Sequence, residues 1–478
     1  MSKNNLTAKP HIFTFYHIFS KGFFLLTFPF LQQIFLHPES IWQQVNYTIF
    51  NILFIITLVT IICLEYKQIS YMQNEHRIAL GKGLFHHSLT LLPTNEVTAI
   101  SVSRNIVLWL ARCCRVYMSS SACCKTRKTE LFVTNSSAKK IIEFSTDKTV
   151  QHILFKSKVI YPVLMSLTQS NFLTGTLALS VMFQRLGDVL GEELAENVIQ
   201  SLNFLPYLLA FGLPPVFSYV GGFIFAGFLF GLFTQIFNNV NFTSFCNDKF
   251  IFVYKGLYRK NILAVRKKFL NGVLVKQTFL MYIAKIYTLS LIYIGIKNDK
   301  NSGVYVPVAR KRKLEHYITS IMPIEKFKAE IKPQLKSLMS YLYTPLIYLG
   351  ITILLCILSY KNFYTSFVAR FIAIVLVPFG ALWVCFRVLA YKHCGVLISD
   401  KTIKLSYFKH LNLMTAIVKR SAITKAVITR SIFQRPFNKC HMIFYICDKK
   451  RLKIKIKHLN YDEALKIINY NNSPYKNL

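Results

Sequence analysis

Apolar and polar positions divide this chain into long uninterrupted runs and shorter alternating ones. The apolar runs have about the length, roughly 20 residues, that an α-helix needs to cross a bilayer. They come in pairs with short connections, near residues 12–36 and 47–64, 161–184 and 204–239, and 341–359 and 365–391. The pattern predicts three transmembrane hairpins, each followed by a polar region of about 90 residues.

The fourth apolar run is unusually long. As a single helix, residues 204–239 would extend about 54 Å, against a hydrocarbon core of about 30 Å. Either one or two spans would fit this length, but two would move the most basic part of the chain across the membrane. We therefore favour one long helix, tilted or bent at Pro214-Pro215.

The polar regions repeat a strand pattern. The three copies are aligned by taking as origins Asn74, Asn247 and Asp400. Each origin lies in a turn-like cluster, QNEHR, CNDKF or SDKTI, and an alternating run follows, RIALGKGL, FIFVYKGL or IKLSYF. Nine residues beyond the origin, Gly83 and Gly256 occupy the first two copies and Lys409 the third.

A second alternating phrase begins 23 residues beyond each origin. It reads VTAISVSRNI from Val97, LNGVLVKQTF from Leu270 and ITKAVITRSI from Ile423. Further strand-like runs follow, ELFVT with KIIEF, YTLSLIYIGI with GVYVPV, and HMIFYIC with RLKIKIKHL. Helical patterns close the copies near 146–156, 309–322 and 461–470. This order predicts a small antiparallel barrel or sandwich capped by a helix, as in a PH-like fold.

Charge indicates which side of the membrane the polar regions face. The chain has 58 Lys and Arg against 20 Asp and Glu, and 51 of the basic residues lie in 65–165, 246–336 and 391–478. The connector 186–201 has four acids and no base. The positive-inside rule predicts that the N-terminus and all three polar regions are cytoplasmic. The first apolar run is too long for a signal peptide, so we expect it to be retained.

The threefold order of hairpin and module resembles the bacterial membrane-flanked PH-domain family, in its three-module members. The resemblance rests on the G-L-[FY] phrase at 83–85 and 256–258, the three aligned strands, PVARKRK at 307–313 and SNFLTG at 170–175. It implies a multi-pass α-helical membrane protein with three cytoplasmic PH-like β-barrel or sandwich domains, each closed by a C-terminal helix. The expected boundaries are hairpins at 1–64, 161–240 and 339–391 and PH-like domains at 65–160, 241–338 and 392–478.

Motifs of catalysis are missing from the sequence. It has no P-loop, nucleophile elbow or HExxH motif, and its 11 cysteines form no CxxC pair, so we expect no enzyme activity, no metal and no cofactor. Intramembrane charge would mark a transport pathway, but Lys21, Arg370 and Arg387 lie near span ends and have no acidic partner. Aromatic residues lie mostly in the spans, which argues against nucleic-acid binding.

Basic clusters are the remaining candidates for a site. They comprise Arg259, Lys260, Arg266, Lys267 and Lys268, then Arg310, Lys311, Arg312 and Lys313, and finally Lys453, Lys455 and Lys457. Such clusters attract anionic headgroups, but positive-inside bias alone also produces them. In the last cluster, lysines alternate with apolar residues, so they line one strand face and could contact lipid or protect an edge strand.

We therefore expect a non-catalytic scaffold in the bacterial plasma membrane, whose cytoplasmic modules bind anionic lipid headgroups or a partner protein. The family resemblance implies, for some members, a role in resistance to or export of antimicrobial peptides, beside a smaller single-domain relative. A component of a small-molecule or peptide transporter is the alternative.

Overall fold

The structure of the chain, a computed structural model, describes most of the polar regions and parts of the helical pairs. It describes residues 7–26, 41–73, 77–84, 87–120, 129–145, 152–158, 160–169, 215–257, 260–294, 303–323, 329–360, 376–409, 411–448 and 452–472. Residues 204–214 lie outside this set, so the prediction of one long helix over 204–239 is described only for its second part.

The first third of the chain contains a helical pair, two sets of strands and a closing helix. Its elements are β1 (Thr7–Ala8), α1 (Phe13–Leu26), α2 (Ile41–Gln68), β2 (Ser70–Gln73), β3 (Arg77–Lys82), β4 (Ser88–Pro93), β5 (Val97–Arg104), α3 (Ile106–Leu110), β6 (Cys113–Ser120), β7 (Thr129–Thr134) and α4 (Asn135–Ser145). The strand predicted from Val97 is therefore β5.

The second third has the same order of elements. They are β8 (His152–Lys156), α5 (Ile160–Gln169), α6 (Pro215–Asn239), β9 (Thr243–Cys246), β10 (Phe250–Lys255), β11 (Lys260–Arg266), β12 (Leu270–Thr278), α7 (Phe279–Ile283), β13 (Ile286–Tyr293), β14 (Val304–Arg310) and α8 (Lys311–Thr319). The strand predicted from Leu270 is β12.

The last third differs mainly in one short element, a 3₁₀ turn at Ile432–Gln434 in place of a short α-helix. Its elements are β15 (Ala329–Ile331), α9 (Leu338–Tyr360), α10 (Val377–His393), β16 (Gly395–Ile398), β17 (Thr402–Lys409), β18 (Asn412–Lys419), β19 (Ile423–Thr429), β20 (Lys439–Ile446), β21 (Leu452–Asn460) and α11 (Tyr461–Asn472). The strand predicted from Ile423 is β19.

Two predictions for the first copy are wrong. Residues 140–144, predicted as a strand, lie in α4, and residues 152–156, predicted as helical, form β8. Ala138 and Ile141 are three residues apart, share one helix face and are both buried. Residues 140–144 are therefore helical because a helix buries Ala138 and Ile141 on one face, although the run also has an apparent alternation of apolar and polar residues.

Short strands hold the two ends of each helical pair together. β1 precedes the first pair and is antiparallel to β2, which follows it, with Thr7 opposite Met72. β15 and β16 bracket the third pair in the same way. Around the second pair, the Ser157 backbone N–H donates to the Phe242 carbonyl at 2.9 Å. Each helical pair is thus inserted between neighbouring strands.

Two helical segments are long and apolar enough to cross a membrane, among the residues described. They are Thr48–Gln68 and Leu335–Leu358. Their side chains contact little of the rest of the protein, which separates them from the core helices of soluble domains. Length and composition alone qualify them, and they are weak evidence of membrane association.

The chain forms two compact units. The first comprises residues 1–152, 245–269 and 294–300, and the second comprises 153–244, 270–293 and 301–478. Strands β10 and β11 therefore belong to the first unit and β12 to β14 to the second, and the boundary between the units also falls within β9.

In the first unit, β1 to β4 form one antiparallel sheet, and β7, β6, β5, β11 and β10 are neighbours, in this order, in a second sheet of seven strands. Apolar residues of both sheets and of α4 make a common core, with Ile78, Val116 and Ile141 at its centre. The strand from the second polar region, β11, thus extends the sheet begun by the first.

In the second unit, the larger sheet has the order β14, β13, β12, β18, β17, β16, β15, and β19 to β21 form a smaller one. Leu405, Phe444 and Ile454 are fully buried between β17 and the smaller sheet, and Ile467 of α11 closes the same core. This packing places the outer face of β21 and the start of α9 beside each other.

Candidate anion-binding site

The start of α9 and the 3₁₀ turn before it, Leu335–Ser337, are hydrogen-bonded to the end of β21. The Tyr341 hydroxyl donates to the Lys457 carbonyl at 2.7 Å, and the Ser337 hydroxyl donates to the His458 carbonyl at 3.1 Å. His458 has a φ of 57°, so the strand turns at this point and its ring reaches the Tyr341 ring, at 4.9 Å between centroids. The turn brings the basic end of β21 to the start of a candidate membrane helix.

Lys439, the first residue of β20, reinforces this junction. Its side chain is only 8% exposed, and Nζ donates to the Lys336 carbonyl at 2.8 Å and the Ser340 hydroxyl at 3.0 Å. Burial lowers the pKa of the ammonium group. The Lys439 ammonium group is therefore held beside α9, near Lys457, by neutral oxygen atoms.

Two histidines complete the cluster. The His441 and His458 rings are 4.8 Å apart, and the His458 backbone N–H donates to Nδ1 of His441 at 3.2 Å. Burial first, and then Lys455 and Lys457, lower the pKa of His441 to about 4. Burial first, and then His441 and the nearby lysines, lower the pKa of His458 to about 3. Both rings are therefore neutral at pH 7.

Neighbouring basic residues supply most of the charges that shift the pKa of His441, His458 and Lys457. Burial lowers the pKa of Lys457, and so do the charges of Arg387 and Lys455. Among the described residues, no carboxylate contributes to the shifts of the two histidines or of Lys457. Nε of Arg387 and Nδ1 of His458 are buried without a hydrogen-bond partner. An anion placed among these groups would relieve their mutual repulsion and accept hydrogen bonds.

The first predicted cluster contributes little free positive charge. Arg259 lies outside the described residues, and Lys260 is exposed opposite Arg104. The guanidinium of Arg266 donates to the carbonyls of Thr94 and Asn95, at 3.0 and 2.8 Å, and lies over the Phe250 ring. Lys267 and Lys268 lie in the 3₁₀ turn that follows β11; Lys267 is half-buried and Lys268 is exposed. Arg266 thus joins the end of β11 to the 3₁₀ turn between β4 and β5, within the first unit.

The other two predicted clusters belong to the second unit. Arg310 precedes α8, and Lys311, Arg312 and Lys313 form its first turn, all of them exposed. Cations at a helix N-terminus are unfavourable for the dipole. In β21, Lys453 and Lys455 are exposed and Ile454 and Ile456 fully buried, so the predicted alternation is present. Only Lys455 and Lys457 join the cluster at α9.

Most members of this cluster have no feature in the sequence that marks them as a site. Arg387 is predicted only to reach the membrane surface, and Lys439, His441 and His458 have no signal of their own. Their proximity depends on contacts between residues about 100 apart, such as Lys439 with Ser340. No group of histidine, cysteine and carboxylate side chains able to hold a metal ion occurs in the described part of the chain.

Comparison with protein families supports the PH-like fold for one part of the chain. The family described as bacterial PH domain matches residues 23–145, from within α1 to the last residue of α4. No curated protein and no solved structure matches the chain. Residues 23–145 are therefore similar to a bacterial PH domain, and such a domain suggests a lipid- or protein-binding module.

Proposed function

We propose that the protein is a non-catalytic, multi-pass membrane scaffold whose three PH-like modules bind anionic phospholipid headgroups at the cytoplasmic face. The observation that carries the proposal is the group of cations at the start of α9, formed by Arg387, Lys439, Lys455 and Lys457. It comprises a surplus of positive charge at the end of a helix that is apolar enough to enter a bilayer.

The recurring order of elements supports three modules. The family match begins within α1 and covers α2, the strands that follow it and α4. The same succession of strands and closing helix occurs twice more, at β9 to α8 and β16 to α11. We therefore extend the PH-like assignment to all three copies, with the domain boundaries predicted above and the hairpins in the bacterial plasma membrane.

The chemistry of the site suits a phosphate group. A phosphodiester is a compact anion with several acceptor oxygens, and Arg and Lys near an anionic leaflet each gain about 1 kcal/mol. Burial strengthens such interactions because the local dielectric constant is low. The neutral histidines can also donate a hydrogen bond without adding further repulsion.

Titration of lipid into the full chain tests the proposal. The protein would be placed in phosphatidylcholine nanodiscs and titrated with phosphatidylglycerol at low and high salt. We expect a preference for phosphatidylglycerol that weakens with salt and that falls about 30-fold in Lys455→Gln/Lys457→Gln, because two contributions of about 1 kcal/mol are lost. Lys466→Gln, an exposed lysine of α11, is the matched control and should keep the preference.

Thermal unfolding of the double variant distinguishes a lost binding site from a misfolded protein. The removed charges repel their neighbours, so the double variant should unfold at a temperature no lower than the wild-type chain. Equal affinity of wild type and double variant for phosphatidylglycerol would contradict the site. Absence of any preference in the wild type would contradict lipid binding and favour a protein partner.

A role in resistance to antimicrobial peptides, with a smaller single-domain relative as partner, rests on the family resemblance alone. Within the proposal, lipid binding by the scaffold would act at the membrane surface that such peptides attack. A deletion strain with unchanged sensitivity to cationic peptides would remove this part of the proposal and leave the lipid site intact.

A further inference from the structure

Strands of successive repeats are joined twice, and in the same register. In the first unit β5 is antiparallel to β11, with Ile100 opposite Ala264 and Val102 opposite Ile262. In the second unit β12 is antiparallel to β18, with Val273 opposite Ile417 and Val275 opposite Thr415. We number positions by their distance along the chain from the origins Asn74, Asn247 and Asp400. Position 26 of one repeat then faces position 17 of the next, and position 28 faces position 15.

If every repeat paired with the next in this way, the first repeat would have an unused strand β4 and the last an unused strand β19. β4 is the counterpart of β11 and β18, and β19 is the counterpart of β5 and β12. Among the described strands, β4 neighbours β3 alone and β19 neighbours β20 alone. Leu91 and Leu89 are at positions 17 and 15 of their repeat, and Ala426 and Ile428 are at positions 26 and 28 of theirs.

Side chains of β4 and β19 are more exposed than their counterparts at the two internal junctions, as expected for strands without a neighbour on one edge. Leu91 is 52% exposed, whereas its counterparts Ala264 and Ile417 are 2% and 5% exposed. Leu89 is 62% exposed. All residues of β5 except Arg104 are buried, and no residue of β19 is. Apolar side chains on an open strand edge are a template for pairing with another strand.

The residues flanking the two edges are compatible with the register of the internal junctions. Pro93 lacks a backbone N–H, but its counterparts Arg266 and Lys419 lie outside the paired residues at both junctions. Lys425 is the counterpart of Ala99 and Gly272. At Gly272, a Cβ would lie 2.3 Å from the Ile417 carbonyl oxygen, so this position is closely approached from the facing strand. The first junction accommodates a Cβ at this position, that of Ala99, so Lys425 weakens the contact without altering its register.

We propose that β19 of one copy of this chain pairs antiparallel with β4 of a second copy, with Ala426 opposite Leu91 and Ile428 opposite Leu89. The occupant is a second copy because the chain itself has both edges, in the register that it already uses twice internally. Such an interface joins two different surfaces, so it is head-to-tail and builds a ring or an open row. Membrane anchoring keeps all copies in the same orientation, which favours this assembly.

Disulfide cross-linking between two differently tagged full-length chains tests the interface and its register. One chain has Ile428→Cys and the other Leu89→Cys, and Ala426→Cys with Leu91→Cys forms a second pair of the same register. Residues opposite each other in a ladder are close enough for a disulfide. Thr424→Cys with Leu89→Cys is the matched control, since a shift of four residues separates the two by about 13 Å.

The native cysteines require their own controls. The chain has 11, so each single variant is also expressed with a wild-type partner, and only the excess over those samples is counted. We expect both register pairs to give a dimer with both tags at least tenfold above the shifted pair, and Lys425→Gly to raise the yield. All substituted side chains are exposed or half-buried, and an unchanged thermal unfolding temperature shows that the variants are folded.

Three results would overturn the proposal. One is equal cross-linking of the shifted and register pairs, which indicates random collision. Another is a disulfide that forms only within one chain bearing both substitutions, which indicates that β4 and β19 of the same copy meet. The third is no mixed dimer from folded variants, including the case where Ile428→Cys captures only a different protein.

Discussion

At the scale of single residues, the backbone repeats as clearly as the element order. Arg112, Lys285 and Asn438, each 38 residues beyond its origin, all have a positive φ of 51° to 54°. This region costs most residues about 1 kcal/mol or more, so its recurrence marks a fixed turn. Gly83 and Gly256 have φ values of 120° and 97°, which only glycine adopts easily, and this explains the repeated Gly-Leu phrase.

The histidine pair predicts a dependence of stability on pH. Folding lowers the pKa of His441 to about 4 and of His458 to about 3, from about 6.5 when unfolded. The unfolded chain therefore binds protons more readily, and stability should fall as the pH drops from about 7 towards 4, by at most about 1.4 kcal/mol per pH unit and histidine. Thermal unfolding of the full chain in neutral detergent at pH 7.5 and 5.0 measures this change.

A double variant identifies the groups responsible. His441→Gln/His458→Gln should unfold at more similar temperatures at the two pH values than the wild type does. His316→Gln, an exposed histidine of α8, should keep the wild-type difference. An identical pH dependence in the double variant and the wild type would show that other groups cause it.

At the scale of elements, the sequence patterns predict strands well where alternation is long and uninterrupted. Val97, Leu270 and Ile423 begin β5, β12 and β19, as predicted. The strand prediction for 140–144 is wrong because a run of five residues fits the period of a strand and that of a helix equally well. Burial of one face of α4 favours the helix. Pairing between repeats uses backbone hydrogen bonds, which leave no side-chain signature, so β5 with β11 could not be predicted. The cluster at α9 could not be predicted either, because its members come from parts of the chain about 100 residues apart.

Gly272 permits the close approach of β12 and β18, and its replacement should break this junction. In Gly272→Ala the new Cβ would lie 2.3 Å from the Ile417 carbonyl oxygen and 2.8 Å from the Val418 Cα, and both are backbone atoms that cannot easily move. We expect a loss of about 3 kcal/mol in the free energy of unfolding, measured by denaturant titration.

The matched control for this substitution is in α9. Gly350→Ala adds a methyl group where no atom lies within 4 Å, so stability should change little or rise. Equal effects of the two substitutions would mean that β12 and β18 tolerate separation, and the shared sheet would not be a source of stability.

At the scale of the whole molecule, repeats and compact units do not coincide. The first unit takes β10 and β11 from the second repeat, and the second unit builds one sheet from β12 to β14 and β16 to β18. A strand that is buried on both edges cannot be removed without leaving open backbone groups. The repeats are therefore expected to fold and to be retained as one chain, not as three independent domains.

Division of the chain between repeats tests this dependence. Residues 1–160 and 161–478, co-expressed with different tags, should purify together because β11 supplies the neighbour of β5. Ile262→Lys in the second fragment places a charge opposite Val102 and should abolish the association, whereas Leu257→Lys, at an exposed turn position outside the ladder, should not. Separate, well-folded fragments would show that the paired strands are dispensable. Association that survives Ile262→Lys would place the main contact outside this pair of strands.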